Sequence, residues 1–304
     1  MRAGGDVFFC GLRLAHPVIN GSGTFDAIAA RRAFGDALVE RFPFSAFVSK
    51  TITLQPRDGN PPPRLYETPA GMINSIGLPN KGLDGYLAHD LPELARLPVP
   101  LITNVMGATA DDIATLVEAV DARREIDAVE LNVSCPNVKT GLDIGADPVE
   151  LGAVVARVRP LTAKPLIVKL TPNASDVPAA AQAAEAAGAD AVSLINTLRA
   201  FAPHPRLPRT PWLGGGTGGL SGPAVRAVAL AQVRAVAQRV SIPIVGMGGI
   251  QSGRHAAQLL DAGATLVAVG TESFRDPAAG RRIQHELHDL FAKSGDIVNG
   301  HHDV

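Results

Sequence analysis

Ala128-Val129-Glu130-Leu131-Asn132 runs directly into Val133-Ser134-Cys135-Pro136-Asn137, a short apolar run that delivers two asparagines and a cysteine onto the loop beyond it. A lone cysteine is most often an inert core filler. Cys135, however, stands between Ser134 and Pro136, off the apolar run rather than inside it. A thiol among carboxamides suits an enzyme that removes a proton from carbon next to a carbonyl, with the amides gripping a flat, amide-bearing substrate.

The same unit, a buried run ending in polar residues and followed by a helical segment, recurs along the chain. Strands are predicted at Pro17 to Asn20, Ala46 to Lys50, Leu101 to Asn104, Ala128 to Asn132, Leu166 to Lys169, Ala191 to Ile195, Pro243 to Gly246 and Leu266 to Val269. Between them lie segments of helical period such as Asp111 to Arg123, Asp176 to Ala187 and Pro223 to Arg239. Eight βα repeats point to an α/β TIM (β/α)8 barrel more readily than to an open sheet. Phe8 to Leu14 reads as a small N-terminal hairpin closing the barrel floor, and long loops are expected after strands 2, 4 and 6. The insertions Arg57 to Lys81 and Leu198 to Gly222 are rich in Gly and Pro, which marks lids, binding loops or disorder. Phe201 and Trp212 in the second suggest a cover or an interface. No linker divides residues 1–304, which read as one domain.

Composition narrows the function. With 46% hydrophobic and 19% charged residues the chain can pack a core, and its net charge of -1 provides no field to draw it to nucleic acid or an anionic membrane. Two cysteines, Cys10 and Cys135, make neither a disulfide framework nor a metal site, fit a reducing compartment, and cannot hold an iron–sulfur cluster by themselves. No signal peptide is read at the N-terminus, and no apolar run approaches the roughly 18 to 20 residues that span a bilayer, so a cytoplasmic protein is expected.

A barrel places its chemistry at the C-terminal ends of its strands. Here those ends carry Asn20 to Thr24, Ser49-Lys50-Thr51, Asn104, Asn132 to Asn137, Lys169, Asn196-Thr197, Gly246 to Gly249 and Gly270-Thr271. Buried amides and ammonium groups cost several kcal/mol without partners, so packing alone is a poor reason for this convergence. Lysines are commonly solvated rim charges. Lys50 and Lys169, though, close the buried runs FVSK and LIVK, where their ammonium groups would face an anion or an electron-rich ring. Each asparagine alone could equally cap a loop. Gly248-Gly249 and Gly270-Thr271, after strands seven and eight, match the place where barrels cradle a phosphate, and Gly218 to Gly222 could add donors.

On these residues the chain resembles the class 1 dihydroorotate dehydrogenases from about Phe8 to its last helix. The motifs are NGSGTFD (20–26), SKT (49–51), NSIGLPNKG (74–82), ELNVSCPNVKTG (130–141), VKLTPN (168–173), INTLR (195–199), GTGGLSGPA (216–224), GMGGI (246–250) and VGT (269–271). The resemblance implies a single FMN-binding barrel in which Cys135 takes a proton from C5 of dihydroorotate while hydride leaves C6 for the flavin, in pyrimidine biosynthesis. It implies orotate contacts from Lys50, Asn74, Ser75, Ile76, Gly77, Leu78, Asn132, Asn137, Asn196 and Thr197. It also implies flavin contacts from Ser22, Gly23, Lys50, Thr51, Asn104, Asn132, Lys169, Ile195, Gly222, Gly248, Gly249, Gly270 and Thr271, and no metal. Within class 1, NVKTG, INTLR and GTGGLSGP look like the NAD-linked subclass, whose catalytic subunit works with a separate iron–sulfur FAD subunit; a homodimer is expected. NSIGLPNKG also resembles the fumarate-linked subclass, and AFAPHPRLPRTPWLGGG is unlike the usual segment before TGGLSG. Two other readings stay open: a dihydropyrimidine dehydrogenase-type subunit reducing uracil or thymine, and a phosphate-ligand-binding barrel without turnover.

Overall fold

The computed structural model describes residues 6–133 and 144–299, with side chains as far as residue 293. In chain order the strands are β1 (Val7–Phe9), β2 (Leu12–Leu14), β3 (Val18–Asn20), β4 (Phe47–Val48), β5 (Leu65–Thr68), β6 (Gly71–Asn74), β7 (Leu101–Val105) and β8 (Ala128–Asn132). They continue with β9 (Leu166–Lys169), β10 (Ala191–Leu194), β11 (Leu198–Ala200), β12 (Pro203–His204), β13 (Leu207–Pro211), β14 (Gly218–Ser221), β15 (Ile244–Met247) and β16 (Leu266–Val269). Eight of them form one parallel sheet in the order β3-β16-β15-β10-β9-β8-β7-β4. The expected TIM barrel is therefore present, each predicted strand lying within a few residues of the observed one.

The seam between the two ends of that sheet is closed by a side chain. Asn20 Oδ1 accepts the Val48 N–H and its Nδ2 donates to the Val48 carbonyl, both at 2.8 Å. A carboxamide carries one acceptor and a donor pair in the same spacing as a peptide group, so it replaces the missing ladder rung. Asn20 is fully buried, and this seam accounts for it without any ligand.

Strand alternation sorts the interior. Inward positions hold Ile19, Ala46, Val48, Ile102, Ala128, Ile167, Ala191, Val245, Leu266 and Ala268, while Phe9 and Leu14 of the β1–β2 hairpin plug the floor. One step nearer the strand C-termini the inward residues turn polar: Asn104, Glu130, Lys169 and Ser193. The outward faces pack on helices whose caps are written in the sequence. Thr109 and Asp112 form a capping box on the helix Ala110–Asp121, which buries Ile113, Leu116, Val117 and Val120. Each such aliphatic side chain contributes about 1.5–3 kcal/mol through burial. The helix predicted from Pro223 begins instead with a 3-10 turn, Pro223–Val225, and becomes α-helical at Arg226, because Gly222 enters it with φ +91°.

The two insertions differ from their reading as irregular loops. They pair into one antiparallel sheet, in the order β11-β14-β6-β5, over the barrel mouth. Ile73, Ala202 and Leu213 form its small core, and Trp212 packs against them, whereas Phe201 remains 48% exposed. The alternation in LYET and GMIN is the physical reason for the hairpin, and the Gly and Pro content around it obscured that period. The long loop expected after strand 4 lies outside the described residues over 134–143.

Candidate active site at the barrel mouth

Above the polar layer opens a cavity of about 290 Å³, near the lower end of the range typical of small-molecule sites. Its wall brings together Ser22, Gly23, Lys50, Thr51, Asn74, Ile76, Leu78, Asn132, Lys169, Ile195, Asn196, Thr197, Gly222, Gly248, Gly249, Gly270 and Thr271. Residues as far apart in the chain as Ser22 and Thr271 thus line one cavity. Three expected contacts stand off the wall. Ser75 is fully buried, donates to the Thr217 carbonyl at 2.8 Å and accepts from Asn60 Nδ2 at 3.0 Å. Gly77, at φ +74°, packs on Asn60. Asn104 lies one level beneath the cavity, where Ser49 Oγ accepts its backbone N–H at 3.1 Å. Cys135 and Asn137 lie outside the described residues.

The wall is held by hydrogen bonds that fix its polar groups. Ser22 Oγ donates to the Ser49 carbonyl at 2.8 Å, and Asn132 Nδ2 donates to Thr51 Oγ1 at 3.3 Å. Asn74 Nδ2 reaches the Gly219 carbonyl at 3.2 Å, tying the first insertion to the second. The Thr271 hydroxyl donates to Ser221 Oγ at 2.8 Å. Sequence reasoning passed over Met72 and Phe274, both on the wall, and took Ser221 only as one of the possible donors from Gly218 to Gly222. Ser221 sits inside GTGGLSGPA and had a signal; Met72 and Phe274 are ordinary apolar residues until the fold places them.

Charge on this wall is one-sided. Among the described lining residues are two lysines and no carboxylate. Lys169 is 6% exposed and has no ion-pair partner among the described residues. The protein around Lys50 pulls its pKa below the ordinary lysine value, chiefly through burial, with Asp26 opposing and Arg64 reinforcing the shift. Such a wall selects an anionic or electron-rich occupant.

A cradle of backbone forms another part of the wall. The N–H groups of Gly248, Gly249, Gly270 and Thr271 donate to no described residue, and unsatisfied clustered amides are the donor set of a phosphate site. Glycine is required there: Gly249 has φ +71°, and a Cβ on it would stand 2.7 Å from Arg226 Cβ and 3.0 Å from the Gly222 carbonyl. Behind the cradle, Arg282 donates to the Gln251 carbonyl at 2.9 Å and pairs with Glu272 at 3.2 Å, binding both glycine-bearing loops to the helix Ala279–Asn299.

The second cysteine is excluded from chemistry. Cys10 is in the floor hairpin, donates to the Asp190 carbonyl at 3.4 Å, and is pushed up to about 12 by burial and by the Asp190 charge. A thiol held protonated at the far end of the barrel is no nucleophile or base.

Fold and wall together define a (β/α)8 barrel with an anion cradle and a cationic mouth. The chain belongs to the dihydroorotate dehydrogenase family, whose sequence model matches residues 6–291. It is 45% identical over 287 residues to "Dihydroorotate dehydrogenase B (NAD(+)), catalytic subunit" of Geotalea daltonii, covering 94% of this chain and 92% of that protein. Proteins of the same description from Pelobacter propionicus and Desulforudis audaxviator are 46% and 44% identical, covering 95% of this chain and 94% and 93% of theirs. The family is flavin-dependent. No described helix is long and apolar enough to cross a membrane.

Proposed function

We propose that this chain, residues 1–304 as a single FMN-binding domain, oxidises dihydroorotate to orotate in the de novo synthesis of UMP. The observation that carries the reading is a wall that, among the described residues, carries two ammonium groups and no carboxylate, together with a cradle of amides that donate to no described residue. Those features fit FMN: the cradle of Gly248, Gly249, Gly270 and Thr271 suits its phosphate, and Lys169 suits the pyrimidine edge of its ring. When bound, the flavin supplies the acceptor for the hydride that leaves C6 of the substrate.

Everything else falls to the protein. Lys50 pairs with the substrate carboxylate, and Asn74, Asn132 and Asn196 offer both donors and acceptors to its ring amides. Asn137 joins them in this reading, from outside the described residues. Cys135 is the base that removes the proton from C5; with Cys10 half-buried and its thiol held protonated at the floor, it is the cysteine left for that task. The wall excludes bulk water from the reacting carbons and holds the substrate flat.

Electrons then leave through a partner. Two cysteines cannot hold an iron–sulfur cluster, so a separate iron–sulfur FAD subunit is inferred, passing electrons to NAD, with the catalytic chain itself a homodimer in the cytoplasm. Nucleic acid and membrane have no part in this reading. Anaerobic mixing of the FMN-loaded chain with dihydroorotate tests it: the flavin bleaches, and NAD with the partner subunit restores its colour. Preferential oxidation of the reduced flavin by uracil would overturn the substrate assignment. Restoration by fumarate alone would overturn the acceptor.

A further inference from the structure

Behind the anion cradle stands an arginine that the flavin reading leaves unused. Arg226 opens the helix Arg226–Ala237 and is half-buried. It is not part of the cavity wall, whereas Gly248, Gly249 and Ile250 are. Its Nη1 donates to two groups, the Gly249 carbonyl at 3.3 Å and His255 Nε2 at 2.8 Å. That nitrogen carries two hydrogens, so both are spent. An arginine beside a site for an anion thus aims this nitrogen at a carbonyl and an imidazole instead.

The reason lies in the peptide it holds. Gly249 stands at φ +71°, and a glycine places little steric limit on how the next peptide turns. The peptide joining Gly249 to Ile250 is trans, so its carbonyl and its N–H point in opposite directions. The carbonyl is drawn to Arg226, off the wall. The Ile250 N–H therefore turns toward the cavity that Ile250 lines, and it donates to no described residue. Turned over, the same peptide would present a carbonyl oxygen to the cradle, which repels the anion that the neighbouring amides attract.

His255, in the helix Gly253–Asp261, fixes the arginine in turn. An arginine has no acceptor, so the 2.8 Å contact requires a lone pair on Nε2 and hence a neutral ring. Nδ1 faces the Gln251 N–H at 3.3 Å, so N–H donors meet the ring at both nitrogens. Burial, then Arg226 and Arg254, lower the His255 pKa, with Glu286 and Glu272 opposing.

We infer that Arg226 and His255 are positioning residues that lock the Gly249–Ile250 peptide with its N–H toward the cavity, adding Ile250 to the donors for the phosphate of the flavin nucleotide. The inference rests on the FMN reading of this cavity and names what keeps its phosphate end in shape.

The test titrates the flavin-free chain with FMN and with riboflavin, which has the same ring and ribityl chain but no phosphate. The wild-type chain is expected to prefer FMN by about a hundredfold or more. Arg226→Met should weaken FMN binding by about ten- to a hundredfold, the loss of one charge-assisted hydrogen bond, and leave riboflavin within about threefold. His255→Leu keeps the arginine's charge but frees its side chain, and should weaken FMN by about fivefold or more with riboflavin unmoved. His255→Gln, whose amide oxygen can accept in place of Nε2, should bind FMN within about threefold of the wild type. Equal loss of both flavins in Arg226→Met would mark the pair as general support for the fold and overturn the inference. So would unchanged FMN affinity in Arg226→Met or His255→Leu, or a His255→Gln chain as weak as His255→Leu. A wild-type chain that binds riboflavin as tightly as FMN overturns the phosphate reading of the cradle and this inference with it. Failure of the variants beside a wild-type preference for FMN overturns the inference alone.

Discussion

Replacing Lys169 by methionine should move stability and chemistry in opposite directions. The side chain ends β9 on its inward face, 6% exposed, and the nearest buried carboxylate, Glu130, already bonds Ser193 and Asn104. An unpaired ammonium there carries a desolvation cost that methionine of similar length avoids, so the flavin-free variant should gain about 1–3 kcal/mol. That gain corresponds to a rise in Tm of roughly 2 °C per kcal/mol for a chain of this size. The chemical loss is larger. A unit charge about 4 Å from developing negative charge, at an effective dielectric of about 20, contributes about 4 kcal/mol. Flavin reduction by dihydroorotate should therefore slow by about 10²–10³-fold. Urea unfolding of the flavin-free protein measures the first effect and anaerobic stopped-flow bleaching the second. A Lys169→Met protein that is less stable than the wild type, or that bleaches within about threefold of its rate, would refute the account of this residue.

Other substitutions probe the cradle, the floor and the base. Gly249→Ala must place a Cβ 2.7 Å from Arg226 Cβ at φ +71°, and should cost about 2–4 kcal/mol and most FMN affinity, read by thermal melting and flavin titration. His16 is lowered to about 4, first by burial and then by His285, so the unfolded chain binds a proton below about 6.5 that the folded chain refuses. Stability from this group is complete above that value and is lost as pH falls through the window, about 3 kcal/mol in all; His16→Asn should flatten that part of the pH–stability curve. Cys135→Ala should slow flavin reduction by about 10²–10⁴-fold while leaving FMN affinity unchanged, and in the wild type the bleaching rate should climb toward a pH of about 8.5, the ordinary thiol value. Because Lys50 titrates below the ordinary lysine value, KM for dihydroorotate should rise at alkaline pH earlier than a solvated lysine would allow, and Lys50→Arg should move that rise upward.

The eight barrel strands were legible because each is a buried run ended by a residue that cannot continue it, and that pattern depends on local sequence alone. LIVK shows both halves: Ile167 packs the interior and Lys169 opens the mouth. Asn20 was ambiguous for a definite reason. Its partner is the Val48 backbone, 28 residues along the chain, and a seam closed by a side chain leaves no periodic signal. Glu130 was quoted in the decisive stretch yet had no role, since a carboxylate alternating with valine and leucine reads as a solvated face until the sheet curls it inward. Phe274 shows the opposite failure: an exposed aromatic on a four-residue helix becomes part of the wall only through β16.

The insertions carry the strongest lesson about how the site is built. Read as separate loops, they could move separately. In the structure β6 and β14 are neighbours, with Asn74 opposite Gly219, Ile73 opposite Leu220 and Met72 opposite Ser221. Asn74 lines the cavity, as do Ser221 and Gly222, and Thr271 of the cradle donates to Ser221. One sheet therefore carries both Asn74 and Ser221 to the cavity, with Ile73, Ala202 and Leu213 buried in its small core. Ladder hydrogen bonds fix register along both strands, so a slip on one would turn Asn74 out of the cavity and withdraw Ser221 from Thr271 together. Distance between the two recognition elements is set by strand geometry rather than by loop conformation, and a barrel with such a mouth presents a preformed wall to its ligands.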